Sequence, residues 1–147
     1  MPDLVAFLTA RYDEEQAAAE AATPGAWLAL DGGVQALDGG DEPEWPVSDT
    51  ESERSREDRV HIAYWGPARV LADLAAKRAR LAMWQEALDK RARATKLSRS
   101  DSGMMRRAAD TLPAQANGFC EAVLKMVQLD ASVYAEHPDY RREWAVA

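Results

Sequence analysis

Trp27-Leu28-Ala29-Leu30-Asp31-Gly32-Gly33-Val34-Gln35-Ala36-Leu37 decides the fold class of this chain. Two short apolar runs flank an Asp-Gly-Gly step, the pattern of an antiparallel hairpin closed by a glycine-rich turn. Asp38-Gly39-Gly40 marks a second turn. Glu44-Trp45-Pro46-Val47 then reads as a short edge strand, a place where proline is tolerated. This is the one convincing β signal in the sequence. A lone hairpin is marginal in water, so it must pack on helices, with Trp27 and Trp45 as anchors.

Outward from the hairpin, both flanks read as helix. Upstream, residues 3–22 form a helix with Asp3 as N-cap and Leu4, Val5, Leu8 and Tyr12 on one face. Thr23-Pro24-Gly25 stops it, because the residue before proline leaves the α region and glycine permits a reversal. Downstream, residues 48–59 contain no apolar side chain and read as a solvated loop or frayed helix start, a linker rather than a regulatory segment. Val60–Trp65 is a short helix or turn, and Pro67 suits the first position of a long helix running to about Lys96. Its apolar stripe is Val70, Leu71, Leu74, Leu81, Trp84 and Leu88, interrupted by Lys77, Arg78 and Arg91. About 30 helical residues span ~45 Å, longer than a compact domain of this size needs, so part is expected to meet another subunit. After a break at 98–103, residues 104–110 read as a helical turn or as an extension of the last helix, which Thr111 and Pro113 open. There Leu112, Ala116, Phe119, Cys120, Val123, Leu124, Val127, Ala131 and Tyr134 recur at core spacing.

The expected fold is α+β, mostly α: an N-terminal helix, a small antiparallel β-hairpin, two long helices packed antiparallel and a C-terminal aromatic clamp. One domain covers 1–147, with 1–47 as helix plus hairpin, 48–59 as the polar loop and 60–147 as the helical part. In the clamp, His137-Pro138 breaks the last helix and folds Tyr140 and Trp144 back onto the Thr23–Trp27 corner. Aromatic rings with polar handles are costly to leave loose at a terminus.

Charge is divided sharply. Residues 1–58 carry 15 Asp/Glu against 3 Lys/Arg, a net of −12, whereas residues 59–111 carry 5 against 12, a net of +7. The overall charge of −7 works against nonspecific nucleic-acid binding, because the summed field repels phosphate. The basic stretch Lys77, Arg78, Arg80, Lys90, Arg91, Arg93, Lys96 and Arg99, with Arg106 and Arg107, is the strongest candidate interaction surface. It is read first as a solvated helix pairing with the acidic N-terminal half, and second as a phosphate-contacting face.

No catalytic constellation stands out. His61, Cys120 and His137 lack metal spacing, and Cys120 lies on an apolar helix face where a thiol packs as a small hydrophobe. Gly32-Gly33 and Gly39-Gly40 lack the Lys-Ser/Thr of a phosphate loop. No catalytic, cofactor or metal residue is assigned, and no cofactor is expected. One cysteine excludes an internal disulfide, and no apolar run approaches ~18 residues, so the expected location is cytoplasmic, without a membrane span. Of the five tryptophans, three or four are expected to fill a core poor in Phe and Ile.

Three separated segments carry a resemblance. They are Ala22-Thr-Pro-Gly-Ala-Trp27; His61-Ile-Ala with Pro67-Ala-Arg-Val-Leu71 and Ala76-Lys-Arg78; and Tyr134-Ala-Glu-His-Pro-Asp-Tyr140 with Glu143-Trp144. Together they resemble an uncharacterised family of small actinobacterial and actinophage proteins, and a looser version of the first two recurs in other small phage accessory proteins. Trp27, His61, His137, Tyr140 and Trp144 form the structural motif within these segments. The resemblance implies an origin in a phage or prophage-rich genome and a cytoplasmic protein, and carries over no catalytic residue. Many relatives have a Cys cluster between the long helix and the terminal motif, suggestive of metal. This chain keeps Cys120 alone, with helix packing expected in its place.

The function expected first is a phage-type accessory protein that acts by protein–protein contact on a host or defence protein, as a homo-oligomer. Nucleic-acid binding through residues 77–107 is the alternative, and a small-ligand or metal-dependent activity using His61 or His137 the third.

Overall fold

The computed structural model describes residues 2–31, 33–37, 45–49, 55–98 and 112–146. Its elements are α1 (Pro2–Ala21), β1 (Ala26–Leu30), β2 (Gly33–Leu37), β3 (Trp45–Asp49), α2 (Ser55–Tyr64), α3 (Pro67–Ser98), α4 (Leu112–Ser132) and a 3-10 turn (Arg142–Trp144). The fold is α+β and mostly α, in line with the hairpin and the helical periodicities. Two compact units emerge, Ala10–Ala76 and Met1–Thr9 with Lys77–Ala147. The second turn at 38–40, the break and helical turn at 99–110, the Thr111 cap, and Arg99, Arg106 and Arg107 lie outside the described residues, as do the side chains of Trp45, Leu112 and Ala116.

The unit of residues 10–76 is built on the sheet, with strand order β1-β2-β3. Leu30 pairs with Gly33, so two residues separate the strands, the loop length that Asp-Gly favours. β3 is the expected edge strand extended to Asp49, and its register slips beside Val34 and Gln35, where Pro46 faces Gln35. A bulged edge is where a residue without an N–H is tolerated. Val34 and Ala36 flank half-buried Gln35 and are fully buried, and α2 packs against β1 and β2. Gly25 reverses the chain after α1 with φ of 96°, a conformation that L side chains resist.

Composition was a poor guide in one place. The stretch read as a solvated loop or frayed helix start is strand over Ser48 and Asp49 and, in line with the second alternative, helix over Ser55–Arg59. Glu57 and Asp58 sit in the first turn of α2, where carboxylates complement the helix dipole. Residues 50–54 lie outside the description.

The unit containing Lys77–Ala147 rests on α3 and α4. Arg80 of α3 meets Asp130 of α4, and Ala87 meets Cys120. One number rises as the other falls, so the helices are antiparallel, as expected. Leu81, Trp84 and Ala87 are buried on α3, and Cys120, Val123, Val127 and Ala131 on α4. Each large side chain taken out of water stabilises by ~1.5–3 kcal/mol. Two residues assigned to the core stripes are exposed instead, Leu88 on α3 and Phe119 on α4. Their smaller neighbours Ala87 and Cys120 take the buried positions, in contact with each other where the two helices meet.

Candidate functional site

The carboxyl-terminal aromatics close around a ring from the opposite end of the chain. Phe7, buried on α1, is met by Tyr134, His137, Tyr140 and Trp144 at centroid distances of 6.1, 5.6, 6.2 and 4.9 Å. The first three approach edge-on, the geometry the ring quadrupole favours, and Tyr140 stands edge-on to Trp144 at 5.8 Å. The backbone coils so that the His137 N–H donates to Tyr134 O, Tyr140 N–H to His137 O and Trp144 N–H to Arg141 O, each 2.9 Å. His137 Nδ1 accepts the Asp139 N–H at 3.1 Å. Arg141 pairs with Asp3 of α1 at 2.8 Å. The ring on which this clamp closes is Phe7; the Thr23–Trp27 corner, the expected seat, belongs to the other compact unit. Phe7 lies three residues after Leu4 and one before Leu8, on the same α1 face, a spacing that could have revealed it.

Trp27 has a different task. Its indole N–H donates to Thr23 O at 2.9 Å, and its ring lies against Gly66 between α2 and α3. A Cβ on Gly66 would sit 3.2 Å from Trp27 Cγ and 3.3 Å from Ala63 O, so glycine allows the close approach. Gly66 also opens α3: its carbonyl accepts from the Arg69 and Val70 N–H groups at 3.0 and 3.2 Å. The first quoted segment therefore meets the glycine that stands between the parts of the second.

Beside that junction stands a group that the sequence reading missed. Tyr64 and Trp65 are 56% and 45% exposed, edge-to-face at 5.8 Å. The Arg69 guanidinium carbon lies 3.8 Å from the Tyr64 ring centre and 4.9 Å from that of Trp65. Val60, one turn before Tyr64, is exposed as well. The available signal was an aromatic pair just ahead of Gly66-Pro67, with an arginine four residues after the second ring. His61, on the same helix, is also exposed, and its carbonyl accepts the Trp65 N–H at 3.2 Å.

The described residues of the basic stretch stand in different surroundings. Arg80 directs two guanidinium nitrogens to the Asp130 carboxylate, 2.8 Å each, a bidentate pair that ties α3 to α4. This partner belongs to the last helix rather than to the acidic N-terminal half. Lys90 pairs with Glu86 one turn earlier at 2.8 Å, and its hydrogen bond and charge hold the Glu86 carboxyl below its ordinary range. Lys77 and Arg78 are half-buried, whereas Arg91, Arg93 and Lys96 are exposed.

Among the described residues, no group of three or more His, Cys, Asp or Glu side chains is arranged to hold a metal. Cys120 is buried, its thiol donating to Ala87 O at 3.2 Å. Trp84, Leu88 and Arg91 of α3 and Cys120, Glu121 and Leu124 of α4 line a groove of about 240 Å³. That is below the ~300–1,000 Å³ of most small-molecule sites. No helix among the described residues is long and apolar enough to cross a membrane.

Comparison with curated proteins and with solved structures returned no match. A family model described as a family of unknown function (DUF6221) matches residues 1–146, and the chain belongs to that family.

Proposed function

We propose that this DUF6221 member is a non-enzymatic accessory protein that works by protein–protein contact, through Val60, Tyr64, Trp65 and Arg69. The observation that carries the reading is the exposed aromatic pair with a guanidinium stacked on it. Trp, Tyr and Arg are the residues enriched where binding energy concentrates. Stacking already orders Arg69, so less side-chain entropy is lost when a partner arrives. The likeness of the three segments to small proteins of actinobacteria and their phages supports a host or defence protein as that partner, met in the cytoplasm. The test is a quantitative pull-down from a bacterial host lysate with the parent chain and a Tyr64→Ala/Trp65→Ala variant. Loss of captured protein at unchanged thermal stability is expected. Equal capture by both chains refutes the patch.

A second reading, nucleic-acid binding, draws support from Arg91, Arg93 and Lys96, exposed on the last turns of α3. It is weakened by the commitment of Arg80 and Lys90 to carboxylates. Salt-dependent mobility shifts abolished by Lys90/Arg91/Arg93→Ala would establish it, and a flat titration at low salt would remove it.

A further inference from the structure

α4 is apolar on two faces, and among the described residues only one of them is buried. Cys120, Val123, Val127 and Ala131 form the buried face. Glu121, Lys125, Gln128 and Ser132 form a polar face. The third sector holds Phe119, Ala122, Met126, Leu129 and Val133, the last just past the final turn, and all five are exposed. The four large ones keep 48%, 45%, 58% and 70% of their surface in water. Their spacing is three, four, three, four, the alternation that keeps one seam of a helix facing another helix. A helix packed on one neighbour needs a single apolar stripe, so the second is surplus to the contact of α4 with α3.

We infer that this stripe is the contact with a second copy of the same chain, α4 against α4 about a two-fold axis near Met126. The occupant follows from the stripe itself. It carries no charge, so it offers nothing to select a charged partner, and a two-fold contact asks only that a patch complement itself. An antiparallel seating sets large against small: Phe119 near Val133, Leu129 near Ala122, Met126 across from its copy. Area agrees: four half-exposed large side chains on each of two copies remove roughly 800 Å² of apolar surface, and the polar rim brings this past the ~1,000 Å² of a specific interface. The inference goes beyond the partner patch around Arg69 and does not depend on it.

Size-exclusion chromatography with light scattering on the full chain tests it. The parent runs at twice the chain mass, and Met126→Glu/Leu129→Glu halves that mass while the helical circular dichroism is unchanged. Tyr64→Ala/Trp65→Ala leaves the mass doubled, which separates this test from that of the partner patch. Should the charged variant lose helicity, Met126→Cys decides: an axis at that residue yields an oxidised covalent dimer, while the parent, with Cys120 buried, yields none. A parent of single-chain mass at its highest soluble concentration, or a Met126→Cys chain that never crosslinks, overturns the inference and leaves the stripe to a different protein.

Discussion

Two aromatic clusters sit in this chain, one closed on a buried ring and the other open to water. Around Phe7, four rings turn inward and leave Trp144 almost wholly buried. Around Arg69, two rings stand in water with a guanidinium laid over them. Both lie next to a chain reversal or junction, His137-Pro138 in one case and Gly66-Pro67 in the other. The difference lies in what occupies the centre. A hydrocarbon ring supplied by another helix makes a piece of core. A cation supplied by the adjoining helix start leaves the rings wet. Aromatic density in a sequence therefore cannot by itself separate structure from recognition; the identity of the central group does.

The largest expected effects break the inward cluster. Phe7→Ala and Trp144→Ala each remove a buried ring and are expected to lower unfolding stability by ~3–5 kcal/mol, measured by urea titration. A loss below ~1 kcal/mol in both would show that the clamp closes on nothing. Asp130→Ala leaves the half-buried Arg80 fork without its carboxylate and should lose ~1–3 kcal/mol in the same titration, with Asp130→Glu recovering part of it. At the junction behind the outward cluster, Gly66→Ala crowds Trp27, which is held by its hydrogen bond to Thr23, and replaces a tolerated helix cap with a poor one. A loss of about 1 kcal/mol is expected, read as a lowered melting temperature. The smallest effect belongs to the solvated helix. Because the Glu86 carboxyl is held below its ordinary range, the Lys90 pair favours folding above that range and is lost as pH falls through the lowered value. Carboxyl resonances followed through an acid titration should show Glu86 taking up its proton at lower pH in the parent than in Lys90→Ala.

Much of this fold was legible because local chemistry and global structure agree. Asp31-Gly32 falls between two paired strands, Pro46 sits on an edge strand, and Pro67 follows the residue that opens α3. What stayed hidden depends on distance along the chain or on counting faces. Phe7 and Trp144 are far apart in sequence, and helical spacing shows that a tail must dock without showing on what. The apolar positions along 112–134 read as one stripe, yet Phe119 belongs to a second one, since periodicity measures apolar width and not which part of it is covered. The polar run before Val60 left loop and helix start both open on composition alone, and its carboxylates are well placed for the helix start that forms. The outward patch escaped notice for a related reason: Trp65 was one more tryptophan in a chain short of core bulk, and Arg69 lay outside the dense basic run.

That the rings beside Arg69 have no structural duty is the claim on which the functional reading stands, and equilibrium urea unfolding of Trp65→Ala beside the parent chain tests it most directly. A ring already half in water leaves little behind when removed, so the unfolding free energy should match the parent's to within ~0.5 kcal/mol. A loss of ~3 kcal/mol, the scale of a buried ring such as Trp144, would contradict the account and return Trp65 to the core.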